Sequence, residues 1–120
     1  MLMPCKPETI KILEEIKKLE FLRDVVIPFV KEREREGDVD LRRYFHECGT
    51  PSCLYGWSTT FKEMGLPKDK SGFWSIAQQT LGFDFTDMNE VFGGLHVGTL
   101  DDRAQACTRI IERKMREIAE

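Results

Sequence analysis

An all-α fold is predicted by three features of this 120-residue chain. Apolar residues recur at helical spacing in several segments, capping residues and glycines bracket those segments, and no stretch alternates apolar with polar residues as a half-buried strand does. The prediction is a single compact domain of five or six short helices over residues 1–120, with residues 1–6 as a loose N-terminus.

The first helix is expected from Pro7, whose missing N–H costs nothing in a first turn. Ile12, Ile16 and Leu19 form its stripe, Leu13 and Leu22 flank it, and alternating Lys and Glu cover the wet side. Pro28 interrupts the apolar run Val25 to Val30, so the chain there either kinks or begins a second helix ending near Gly37. The run Lys31 to Glu36 alternates in sign and reads as a solvated helix face. Asp40 is placed to cap a short helical turn through Leu41, Tyr44 and Phe45.

A helix opened by Thr50 and Pro51 carries Leu54, Trp57, Phe61 and Met64 on one apolar face and stops at Gly65. Leu66 to Gly72 is an exposed loop. Phe73, Trp74, Ala77 and Leu81 predict the next helix, stopped by Gly82, after which Phe83 and Phe85 turn into the core. Thr86 caps a short helix with Met88, Val91 and Phe92 inward, closed by Gly93 and Gly94. Beyond a turn from Leu95 to Gly98, Thr99 and Asp102 make a capping-box variant. Leu100, Ala104, Cys107, Ile111 and Ile118 then trace one face of the longest helix.

Hydrophobic residues make up 41% of the chain and charged residues 32%, enough for one real core without disulfide staples. Eighteen basic residues stand against 21 acidic, for a formal net charge of -3, a balance that points away from nucleic acid and anionic membrane. No apolar run approaches the roughly 20 residues of a membrane span, and the N-terminus lacks the apolar centre of a secretory signal. A cytoplasmic location is expected. Cysteines at positions 5, 48, 53 and 107 are too sparse for a secreted disulfide scaffold.

The most unusual stretch is His46 to Trp57, HECGTPSCLYGW. Gly49 supplies a sharp entry, Thr50 a cap and Pro51 a first helical position, so Cys53 falls in a first turn. Gly56, costly inside a helix, implies that another element passes close to its backbone. His46, Cys48 and Cys53 offer three zinc-type ligands, with His96 or Cys107 as a fourth, but the paired two-to-four-residue spacing of structural zinc sites is missing. A thiol in a first turn has its thiolate favoured by the helix dipole, whereas burial acts in the opposite sense. Packed thiols are the preferred reading, and neither metal nor cofactor is expected.

Ser75 to Phe92 has the outline of a helix-turn-helix, yet its second helix carries Asp84, Asp87 and Glu90 and no Lys or Arg, the wrong charge for phosphates. Asp101 and Asp102 sit where a helix dipole favours anions, so capping accounts for them. No phosphate loop, serine triad or metallohydrolase motif is found.

Cys48, Gly49, Thr50, Cys53, Gly56 and Trp57, with Val39-Asp40-Leu41, Leu81-Gly82, Val91-Phe92 and Thr99 to Ala104, resemble a loose family of small phage and bacterial proteins. That family carries Cys-Gly-Thr-x-x-Cys-x-x-Gly followed by Trp or His, then Leu-Gly and Leu-Phe stations. The resemblance runs from Val39 to Ile118 and implies a phage or prophage setting with no catalytic activity. The resulting expectation is a non-enzymatic interaction protein, with a thiol or zinc site at Cys48 and Cys53, or a helix-turn-helix-like nucleic-acid binder, as alternatives. Its partner would be a protein of unspecified identity, reached through Tyr44, Tyr55, Leu95 and Val97, apolar residues beyond the core's needs.

Overall fold

The structure, a computed structural model, describes residues 6–37, 54–67, 73–92 and 99–119. Six α-helices are present among the described residues, and no strand: α1 (Pro7–Phe21), α2 (Ile27–Arg35), α3 (Leu54–Ser58), α4 (Phe73–Leu81), α5 (Phe85–Phe92) and α6 (Leu100–Ala119). The fold is all-α. Helix α6 packs along α1 and against α5, and α4 leans on α1.

Helix α1 begins at Pro7 after an extended Lys6, and buries Ile16 and Leu19, with Ile12 partly covered. One expectation fails here. Glu15 belongs to the alternating charges assigned to the wet side, yet it lies in the core. At its far end α1 neither stops nor restarts. Leu22–Val26 forms a π-helical turn that carries the chain directly into α2, with Ile27 N–H bonding to Leu22 O. The reason is Pro28, which has no N–H for the Asp24 carbonyl that a regular α-helix would assign to it. Beyond the turn, Val26, Ile27 and Val30 are buried, while Val25 and Phe29 remain exposed. Gly37, in the left-handed region at φ 82°, closes α2 as expected. The charged run Lys31 to Glu36 is a largely solvated face, laced by Arg33 to Glu36 and Arg35 to Glu32 pairs.

The helix expected to run from Pro51 to Met64 is shorter. α3 ends at Ser58, and a turn leads to a single 3₁₀ turn, Lys62–Met64, before Gly65 stops it in the left-handed conformation. Ser58, Thr59 and Thr60 explain the break: their hydroxyls donate to the Leu54, Gly56 and Trp57 carbonyls, each at 2.7 Å, in competition with the backbone. The apolar face survives the break, because Leu54 and Met64 are buried and Trp57 and Phe61 pack against the core.

Gly82 ends α4 at φ 65°, and Phe83 N–H reaches back to the Gln78 carbonyl at 2.9 Å. This is a Schellman closure, with buried Phe83 as its apolar contact. The cap of α5 is Asp84 rather than Thr86. Asp84 Oδ1 accepts from Asp87 N–H at 2.8 Å while Asp87 Oδ2 accepts from Asp84 N–H at 3.1 Å, a reciprocal box that starts the helix two residues earlier than expected. The earlier start leaves Phe85 on the outer side of the first turn, 71% exposed, so of the two phenylalanines only Phe83 enters the core. Met88, Val91 and Phe92 point inward as expected.

The predicted box at α6 is present: Thr99 N–H donates to Asp102 Oδ2 at 3.0 Å and Asp102 N–H to Thr99 Oγ1 at 3.1 Å. Leu100, Cys107 and Ile111 are buried on its inner face, Ala104 and Ile118 pack beside them, and Ala106 and Ile110 widen the face. Two cations, Arg103 and Lys114, are buried with them.

Candidate functional site

Of the residues singled out by sequence, Tyr44, His46, Cys48, Gly49, Thr50, Cys53, Leu95, His96 and Val97 lie outside the described residues. So do Asp40 to Phe45 and the Gly93-Gly94 pair. Gly56 is buried within α3. Tyr55 corrects an expectation. Proposed as a surface anchor, it is fully buried, its ring edge-on to Phe92 at 5.3 Å and its hydroxyl donating to the Pro67 carbonyl at 2.5 Å. Like Leu54 before it, Tyr55 lies on the inner side of α3, where an aromatic body with one bonded polar tip is well suited. A surface-contact role for Tyr55 is therefore withdrawn.

Trp57 joins an aromatic ladder with Phe21 and Phe29, which flank the π turn in sequence, and Phe61. Phe29 meets Trp57 and Phe61, each with centroids 5.6 Å apart, and Phe21 meets Phe61 at 5.7 Å, all edge to face. The Arg33 guanidinium lies over Phe29 and Trp57, 5.3 and 5.7 Å from their centroids. The indole N–H of Trp57 is buried and meets no acceptor among the described residues.

Cys107, the one described cysteine, is enclosed by the core, and burial pushes its thiol up to about 12 against the opposing pull of Arg23. A neutral, enclosed thiol is a poor nucleophile and a poor fourth zinc ligand. Among the described residues no group of three or more His, Cys, Asp or Glu is placed to hold a metal ion.

Two concave surfaces among the described residues bear on function. The first is a polar cleft of about 380 Å³ between α5 and α6, lined by Asp84, Asp87, Glu90, Arg109, Arg113 and Arg116 among others. Arg113 grips Asp87 with both terminal nitrogens, at 3.1 and 2.8 Å, and Arg109 reaches Glu90 at 3.4 Å. These two pairs hold α5 to α6. Burial disfavours the Asp87 carboxylate, but the bonds from Arg113 and from Asp84 N–H, with the charges of Arg113 and Lys114, outweigh it and hold the group below its ordinary range. A carboxyl depressed by folding stabilises the protein above its unfolded value, about 3.9, and that contribution is lost as pH falls through the lower folded value. Asp87→Asn is thus expected to be less stable than wild type at pH 6, with the gap closing below about pH 4. Urea melts across that range test it, and a constant gap would contradict the assignment.

The second surface is apolar, a groove of about 340 Å³ between α1 and α6 lined by Leu13, Ile16, Glu20, Met115 and Ile118. Leu13 is 43% exposed and Met115 57%. Helical spacing alone sets Leu13 beside the α1 stripe and Ile118 on the inner face of α6, and passes over Met115. The available signal is the surplus of apolar residues: Leu13 and Met115 each lie beside a stripe already complete without them.

The helix-turn-helix outline at Ser75 to Phe92 corresponds to α4 and α5 joined at Gly82, with α5 held on α6 by the Asp87 to Arg113 pair. The class so defined is a small all-α domain with an apolar interhelical groove, and no helix among its described residues is long and apolar enough to cross a membrane. No family model, curated protein or solved structure matches the chain.

Proposed function

We propose that this protein is a non-enzymatic interaction domain, a phage or prophage modulator working in the cytoplasm, that binds a protein partner through the α1–α6 groove. The groove is the observation that carries this reading. An apolar floor with a polar rim is the usual anatomy of a protein interface, and a cleft between two packed helices accommodates an amphipathic helix. Glu20 lines it and Glu112 lies one turn before Met115, both exposed, with Lys17 one turn after Leu13 as the opposing cation. A rim acidic on balance favours a partner helix whose apolar stripe is flanked by Lys or Arg, and it disfavours nucleic acid.

The test uses Leu13→Glu/Met115→Glu, with Ile76→Glu as a control on an exposed apolar residue of α4. A partner captured from host or phage extract is identified by mass spectrometry, purified and titrated. The double variant is expected to lose at least about tenfold in affinity while the control binds as wild type. Equal binding by the double variant removes the groove from the interface. A dimer seen by sedimentation and abolished by the same changes assigns the groove to a second copy, and a salt-sensitive shift of DNA or RNA overturns the protein-partner reading.

A further inference from the structure

The two helices that wall the groove are also joined by a buried ion pair. Glu15 on α1 and Lys114 on α6, 5% and 4% exposed, are the immediate neighbours of the groove residues Ile16 and Met115. Lys114 Nζ donates to Glu15 Oε1 at 3.0 Å and to the Gly82 carbonyl, in the α4–α5 turn, also at 3.0 Å. One ammonium thus joins three elements far apart in sequence. Gly82 lets this happen, because its backbone lies where a Cβ would be 2.5 Å from the Glu15 carboxylate carbon.

We propose that this triad is a register lock: it selects the one docking of α6 on α1 that sets the two walls of the groove opposite each other. Desolvating both charges costs about as much as their attraction returns, so a buried pair is a weak source of stability. Its effect on alternatives is larger. Ile12, Ile16 and Leu19 facing Ile110, Ile111 and Ile118 form a generic apolar seam, and a slide of one helical turn, about 5.4 Å, still matches apolar to apolar. Such a slide strands Glu15 and Lys114 in the core without partners and leaves the Gly82 carbonyl without its donor. The pair therefore penalises every register except the one that places Leu13 and Ile16 across from Met115 and Ile118.

The test compares Glu15→Met, Lys114→Met and the double variant in the free protein, by thermal melts and by methyl NMR of Ile16, Met115 and Ile118. Each single change is expected to lower Tm, and the double to melt above both singles, because removing one charge strands the other. The double is also expected to show two or more signals for these methyls where wild type shows one. A single native-like signal for each, in a folded double variant, overturns the lock. So does a double whose Tm loss equals the sum of the singles. If the double does not fold, Lys114→Met alone removes the donor shared by Glu15 and the Gly82 carbonyl, so that every register strands Glu15 alike and none is selected. Split methyl signals in that variant support the lock and a single native set overturns it. No partner enters these measurements, so their failure is distinct from failure of the groove to bind.

Discussion

Gly82→Ala is expected to remove about 3–5 kcal/mol of stability, a large part of the total for a domain of this size, although it adds one methyl group. Two costs combine. The first is conformational: φ at 65° suits glycine, and alanine there costs about 1–2 kcal/mol. The second is electrostatic, since the new methyl would occupy the position of the Glu15 carboxylate and force it away from Lys114, leaving both charges buried and apart. Gly37→Ala separates the two, because Gly37 has φ 82° with nothing within 4 Å of a built Cβ. Urea melts should place Gly37→Ala near the conformational cost alone and Gly82→Ala well beyond it. Equal losses would mean that the carboxylate moves aside freely.

Arg103→Met is expected to cost about 2–3 kcal/mol, while Arg103→Lys costs less. Arg103 is 1% exposed, and its Nη1 donates to the Val91 carbonyl at 2.7 Å. Val91 lies in the last described turn of α5, and the guanidinium gives its carbonyl a buried, charged donor, a stronger bond than a neutral one. Methionine preserves the length of the stem but leaves that carbonyl buried without this donor. Lysine keeps the charge on a compact head. Equal melts for wild type and Arg103→Met would show that the carbonyl finds another donor at no cost.

What is legible in the sequence is local. Helical spacing locates α1, α4, α5 and α6, glycine chemistry places the stops at Gly37, Gly65 and Gly82, and Thr99 with Asp102 marks the start of α6. These features depend on residues a few positions apart. Glu15 and Lys114 do not. Each looks like an ordinary wet-side charge in its own helix, and burial becomes tolerable only through a partner 99 positions away. Arg103 is hidden in the same way, with its acceptor on another helix. Asp84 is within reach, since Asp84 with Asp87 has capping-box spacing, but Thr86 is an equally good cap by type and the choice turns on two residues. Ser58, Thr59 and Thr60 pass for helix surface by spacing, although three hydroxyls in succession compete with a helical backbone. At the candidate site, Trp57 is correctly apolar and partly covered, Tyr55 is interior, and the cysteine motif before Leu54 lies outside the described residues. The groove escapes a reading by spacing because apolar periodicity reports a preference for burial, not whether anything covers the side chain.

The π turn at Leu22–Val26 has a practical consequence for anyone drawing this chain on a helical wheel. A bond from i to i+5 where i to i+4 is usual takes up one extra residue, which in a regular helix is about 100° of rotation. A wheel drawn through Pro7–Arg35 as one helix is therefore faithful up to Phe21 and wrong by more than a quarter of a revolution from Ile27 onward. Mutagenesis planned from such a wheel would assign residues of α2 to faces they do not occupy. Two wheels, one on each side of the π turn, are the correct map.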